Sequence, residues 1–182
     1  GVWEGTGVID YHAGGQQFDG EFAHRVSFSH DGGNVLNYSA SAWLATGEDD
    51  ARIPLVSEVG FWRLSRAATP QDAGPALLPP TAVGAARTAD DVELLRPPEG
   101  GVEIEVALVH SDGVNELYLG QVQGPRIDIA TDAVVRTAGA KEYTAATRMC
   151  GLVDNHLLWA WDIAALGGEL SSHASARLAR AE

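Results

Sequence analysis

Apolar and polar residues alternate along short stretches of this chain, and a helical three-to-four spacing almost never takes over. Alternation at every second position sends one set of side chains to each face of a strand, so the pattern predicts strands. Val26-Ser27-Phe28-Ser29 alternates, and Asp31-Gly32-Gly33-Asn34 after it supplies residues tolerant of positive φ, which predicts a turn. Asn37–Leu44 alternates again, with Tyr38, Ala40, Ala42 and Leu44 on one face, and Val59–Leu64 follows as a further strand. Glu103–His110 puts Ile104, Val106, Leu108 and His110 on one side, and Ser111-Asp112-Gly113 turns the chain into Glu116–Gly120. Arg126–Ile129 and Ala140–Thr144 continue the series. His156–Ile163 groups Leu157, Trp159, Trp161 and Ile163 with Asp162 facing the other way, and Ser172–Leu178 ends the series. About ten strands with turn signals between them, and no room for helical crossovers, predict an all-β fold. The expected architecture is a ten-stranded antiparallel up-and-down barrel, because closure removes exposed edges and that strand number leaves an interior wide enough for a ligand.

One segment breaks the rhythm. Arg66 to Gly101 holds Pro70, Pro75, Pro79, Pro80, Pro97 and Pro98 among alanines and acidic residues. It predicts a long mobile inter-strand loop with room for a short helical segment, lying over the barrel mouth or hanging free. The 182 residues otherwise make one domain, 1–182, long enough to close a hydrophobic core.

Charge narrows the partners. Asp and Glu number 25 against 12 Lys and Arg, a net −13, which repels phosphate backbones and anionic lipid, so neither nucleic acid nor membrane is expected. No apolar run approaches the ~18 residues of a spanning helix. The single cysteine, Cys150, excludes an internal disulfide and a multi-cysteine zinc cage, and its strand position suits a small buried hydrophobe. The chain opens on Gly1 rather than methionine, so a targeting segment would lie outside this sequence, and a soluble cytoplasmic domain is the expectation.

Candidate chemistry is sparse. Six histidines (His12, His24, His30, His110, His156, His173) show no His-x-x-x-His or His-x-His spacing, so a metal cage built from protein ligands alone is not predicted. A haem iron is different: four porphyrin nitrogens leave the protein one axial imidazole to supply. Gly-x-Ser-x-Gly is absent, and the glycines of Gly1–Gly7 lack the spacing of a nucleotide loop. The paired carboxylates Asp49-Asp50 and Asp90-Asp91 read as solvated surface. Residue chemistry alone leaves a hollow barrel without an assigned cargo.

A resemblance supplies one. Gly1-Val2-Trp3-Glu4-Gly5-Thr6-Gly7 is similar to the opening of the nitrobindin family, haem-binding barrels related in shape to lipocalins and fatty-acid-binding proteins. Val26–Gly32, Glu58–Arg63, Val109–Glu116, Gly139–Glu142 and Leu170–Leu178 resemble successive family segments in order, over everything but the long loop. The resemblance implies one haem b per chain near the barrel mouth, with His173 as axial ligand to the iron and no catalytic residue beyond that iron. It implies binding of nitric oxide and peroxynitrite at ferric iron and isomerisation of peroxynitrite to nitrate, as a monomer or homodimer. Lys141, the only lysine, matches a family barrel lysine and becomes a candidate haem contact, with a surface lysine as the other reading. His110 becomes a candidate distal-pocket residue, with a strand-end histidine satisfied by backbone as the alternative. For His173 itself, plain alternation gives an exposed ring sharing a face with Ser175 and Arg177, whereas the resemblance turns it inward. Trp3 is expected to plug the closed end.

Two departures stand out. The family's proline-threonine pair after the tyrosine is replaced by His12-Ala13-Gly14-Gly15, which removes a threonine beside the haem, and the 66–101 insertion is additional. Competing readings are a non-enzymatic carrier of an apolar small molecule, which would clamp a carboxylate with Arg63, Arg136 or Arg148, and nitric oxide sensing on the same haem.

Overall fold

The alternating stretches become ten strands: β1 (Val2–Ala13), β2 (Gln16–Ser29), β3 (Val35–Ala45), β4 (Arg52–Leu64), β5 (Val102–His110), β6 (Val114–Gln123), β7 (Arg126–Arg136), β8 (Tyr143–Val153), β9 (His156–Ala165) and β10 (Ser171–Arg180). The computed structural model describes residues 1–13, 15–30, 32–45, 52–82 and 88–181. Asp31 of the predicted turn and the Asp49-Asp50 pair lie outside the described residues. Every strand pairs antiparallel with its neighbour in sequence, and β1 pairs with β10 to close the barrel. No described helix is long and apolar enough to cross a membrane.

Several strands run further than alternation indicated. β2 begins at Gln16 rather than Val26, pairing with β1 from Ala13↔Gln16 to Val2↔Ser27. Its early half, Gln17-Phe18-Asp19-Gly20-Glu21, is mostly exposed, so backbone pairing holds it without a polar–apolar signature. β7 extends to Arg136 for the same reason, since Asp132, Ala133, Val135 and Arg136 are not buried. Conversely, Ala140-Lys141-Glu142 belongs to the β7–β8 connection, and the strand predicted there starts at Tyr143.

The inward positions follow the predicted parity. Tyr38, Ala40 and Ala42 on β3, Ile104, Val106 and Leu108 on β5, and Trp159 and Trp161 on β9 are all buried. β4 and β5 approach so closely that a Cβ at Gly60 would sit 1.9 Å from the Ala107 carbonyl oxygen, so only glycine fits there. The β7–β8 ladder runs only from Arg126↔Gly151 to Ala130↔Thr147. Just beyond it the Thr131 hydroxyl accepts from the Ala146 N–H at 3.0 Å and donates to the Ala146 carbonyl at 3.3 Å, replacing the missing ladder bonds.

Topology decides where the long loop goes. One end of the barrel carries the β1–β2, β3–β4, β5–β6, β7–β8 and β9–β10 connections; the other carries both termini and the β4–β5 loop. The loop therefore leaves from the end opposite the cavity described below, which corrects the reading that it covers the mouth. Its described part is tied down: Arg66 donates to both Asp72 carboxylate oxygens at 2.6 and 2.8 Å, and Asn34 of the β2–β3 turn donates to Asp72 at 3.1 Å. The expected helical segment is α1 (Ala89–Glu93), started by a capping box between Thr88 and Asp91. Trp3 packs partly buried against the core near the end that carries the termini.

Candidate functional site

At the end carrying the β1–β2 and β9–β10 connections, the inward side chains stop short of filling the lumen. They leave a cavity of about 280 Å³ walled by Tyr11, Phe22, Trp159 and Trp161 and reached by His24, His110 and His173. A larger concavity of about 840 Å³ runs over the outward-facing Leu119, Gln121, Asp128 and Met149. It gathers no histidine, and the chemistry belongs to the smaller, interior one.

His173 enters this cavity through a defect in the ladder. β10 pairs with β9 at Ser172↔Asp162 and next at Ala174↔Trp161, leaving His173 as an inserted residue without a partner. Such a bulge places two consecutive side chains on nearly the same side of a strand. Strict alternation would have put His173 outside with Ser175 and Arg177; instead it shares the lumen with Ala174. Its ring lies 4.2 Å from that of Tyr11 and 5.4 Å, edge to face, from Trp161. Nδ1 is enclosed without a hydrogen-bond partner, and burial lowers the ring's pKa to about 4. The imidazole is therefore neutral at neutral pH, the form in which it can bind a metal.

The other two candidates divide. His110 ends β5 fully inward, and its Nε2 lies 2.6 Å from Glu116, so a carboxylate satisfies it rather than backbone. Lys141 is exposed at the cavity rim in the β7–β8 connection and makes no ion pair among the described residues. Arg136 donates to its carbonyl at 2.9 Å.

Beside the cavity lies a charged cluster that sequence reasoning missed. Arg148 on β8 donates to both carboxylate oxygens of Glu58 at 2.6 and 2.8 Å, to Glu116 at 3.2 Å and to the Tyr118 hydroxyl at 2.9 Å. Tyr38 donates to Glu58, and Tyr118 and Tyr143 donate to Glu116, each at 2.6 Å. The ligand atoms of Glu58, His110 and Glu116 lie within 4.8 Å of one another, a spacing that can hold a metal ion. The Arg148 guanidinium already supplies a cation between those carboxylates. It is also committed, whereas Arg63 and Arg136 are exposed, so none of the three candidate arginines offers a free internal clamp. Parity could have revealed the cluster: Glu58 alternates with Gly60 and Trp62, and Glu116 with Tyr118, all facing inward.

His24, equally missed, alternates with Phe22 and Val26 on β2. Its Nδ1–H donates to the Ser41 carbonyl at 3.1 Å, which leaves Nε2 as an acceptor, enclosed and unpaired beside Trp159. Burial lowers its pKa, so it too is neutral. Cys150 is the buried small residue expected, its thiol pushed up to about 12 by burial.

These shifts fix a pH dependence. Burial pushes the Glu58 carboxyl up, but Arg148, His110 and the Tyr38 hydroxyl outweigh it and hold it at about 2, against an ordinary value of 4.5. The unfolded chain takes up that proton first, so Glu58's contribution is complete above pH 4.5 and is lost as pH falls toward 2. The lowered His24 and His173 act in the same direction from 6.5 downward. The urea midpoint of the haem-free chain should therefore fall steadily from pH 7 to pH 3. A midpoint flat across that range would contradict the charge assignment.

Comparison with known proteins follows the same lines. Residues 1–180 match the family model described as THAP4-like, heme-binding beta-barrel domain. The chain is 62% identical over its whole length to a peroxynitrite isomerase of Leifsonia xyli subsp. xyli, covering 90% of that protein. It is 57% identical to a peroxynitrite isomerase of Clavibacter michiganensis subsp. michiganensis, again over its whole length and 90% of the relative. The crystal structure of Rv2717c from M. tuberculosis shares the fold, with a TM-score of 0.67 at 23% identity over 100% of this chain and 92% of that one.

Proposed function

Because the chain belongs to the THAP4-like, haem-binding β-barrel family, the nitrobindins, we propose that it holds one haem b through His173 and isomerises peroxynitrite to nitrate. The observation that carries this is the bulge between Ser172 and Ala174, which aims a neutral imidazole with an orphaned nitrogen into an aromatic cavity. That lining suits haem: His173 brings an imidazole with no hydrogen bond among the described residues, whereas His24 and His110 each have a ring nitrogen engaged by Ser41 or Glu116, and Tyr11, Phe22, Trp159 and Trp161 supply aromatic walls.

When bound, ferric haem supplies a Lewis-acidic iron that accepts an oxygen of peroxynitrite and needs no external electron donor. The remaining tasks fall to the chain. Trp159, Trp161 and Phe22 exclude water, which keeps reactive fragments together long enough to recombine. His110, fixed by Glu116, presents its ring to the cavity as a polar contact for the reactant. Lys141 at the rim offers positive charge to a haem propionate or to an arriving anion, which matters in a chain of net charge −13. The proline-threonine pair of the family is absent here, so no threonine hydroxyl from that position contributes. The carrier reading loses its anchor, since Arg148 is neutralised by Glu58 and Glu116.

Rapid mixing of peroxynitrite with ferric haem-loaded protein tests the proposal. Decay should accelerate in proportion to haem-loaded protein, with nitrate as the product. Should haem leave the decay rate unchanged while nitric oxide still shifts the Soret band, gas binding would replace isomerisation as the function.

A further inference from the structure

The four tyrosines divide into three that are locked and one that is open. Tyr38, Tyr118 and Tyr143 are buried, and each hydroxyl donates to Glu58 or Glu116. Tyr11 differs on every count. It is half-buried, it lines the cavity, and among the described residues its hydroxyl makes no hydrogen bond. β1 runs between β10 and β2, and a ring from each flanks Tyr11: His173 at 4.2 Å and Phe18, stacked, at 5.1 Å. Rings from the two neighbouring strands thus flank Tyr11, while its hydroxyl is held by no partner among the described residues and its ring lines the cavity.

We propose that Tyr11 is a self-nitration site, converted to 3-nitrotyrosine by nitrogen dioxide that escapes recombination in the cavity. The inference rests on the peroxynitrite reading above, because peroxynitrite O–O cleavage is the source of the nitrogen dioxide. The oxygen fragment left by that cleavage takes the phenolic hydrogen atom, breaking the O–H bond and leaving as hydroxide, so the ring becomes a phenoxyl radical. The nitrogen dioxide couples through nitrogen to an ortho carbon, forming the C–N bond. The hydrogen on that carbon then passes to the phenolic oxygen as the ring regains aromaticity. One peroxynitrite is consumed and one hydroxide is released, with no further oxidant. The locked tyrosines offer no free hydroxyl. Modification would enlarge a ring already touching His173, tying cumulative oxidant exposure to the state of the haem site.

The test treats haem-loaded and haem-free protein with equal doses of peroxynitrite, with and without excess p-hydroxyphenylacetate as a bulk scavenger. Nitration at each tyrosine is mapped by peptide mass spectrometry, and peroxynitrite decay is followed in the same samples. With haem, Tyr11 should carry at least tenfold more nitration than Tyr38, Tyr118 and Tyr143 together, and should keep most of it under scavenger. Without haem, the scavenger should abolish Tyr11 nitration, and Tyr11→Phe should remove the label from loaded protein. Accelerated decay with nitration spread over other tyrosines, or quenched by the scavenger even with haem, would overturn the Tyr11 proposal and leave the isomerase intact. Decay that haem does not accelerate would overturn both.

Discussion

His173→Ala is expected to abolish stable haem binding while leaving the barrel folded. Ferric haem added to the wild-type chain should give a sharp Soret band; in the variant the apparent affinity should drop on the order of 100-fold or more, because even outer partners of a metal-bound histidine cost roughly 10–100-fold. The fold should tolerate the change. The ring sits at a bulge, outside the β9 ladder, and its buried Nδ1 has no partner, so its removal forfeits no hydrogen bond. The haem-free variant should stay within about 1 kcal/mol of wild type in urea unfolding. Free imidazole added to the variant should restore much of the band by occupying the space the side chain vacated. An unaltered Soret band in His173→Ala would show that another group holds the iron, and His24 and His110, which reach the same cavity, would be examined next.

Arg148→Met is expected to be the most destabilising single change in the barrel interior, by about 3–5 kcal/mol. The guanidinium is buried, and it is the cation that answers both Glu58 and Glu116. Methionine fills similar volume, so the loss would come from leaving two carboxylates desolvated and facing each other. Against a typical domain stability of about 5–15 kcal/mol that is a large share. Adding Glu58→Gln and Glu116→Gln should recover part of the loss, since the amides still accept from Tyr38, Tyr118 and Tyr143 without needing a counter-charge. The measurement is the urea midpoint of the haem-free chains at pH 7. A loss below about 1 kcal/mol in Arg148→Met would mean that the carboxylates find protons or water instead, and that the ion pairs contribute little.

Both expectations depend on features of different legibility. Strand existence and facing were readable wherever one side of a strand meets the core: Ile104, Val106, Leu108 and His110 alternate because β5 has a greasy inner face and a polar outer one. The same signal failed for the first half of β2 and the end of β7, where mostly exposed residues pair without a buried apolar face. The charged cluster was half visible. Glu58, His110 and Glu116 occupy inward parities in the sequence, but nothing local tells that Arg148, 90 positions from Glu58, arrives to neutralise them. In the sequence Arg148 stood only as a candidate clamp for a ligand carboxylate, and Glu58 and Glu116 carried no reading of their own.

The sequence by itself determined the strand count, the closed antiparallel barrel and the family, because period-two alternation and short turns are local properties and the motif series runs the length of the chain. Tertiary structure decided the site. Plain alternation sends His173 to solvent; the unpaired position opposite Asp162 and Trp161 on β9 sends it into the lumen, and a bulge is a relation between two strands that neither encodes alone. Likewise the long loop could be recognised from its prolines, but its position at the far end from the haem cavity follows only from which way β4 and β5 run once the barrel has closed.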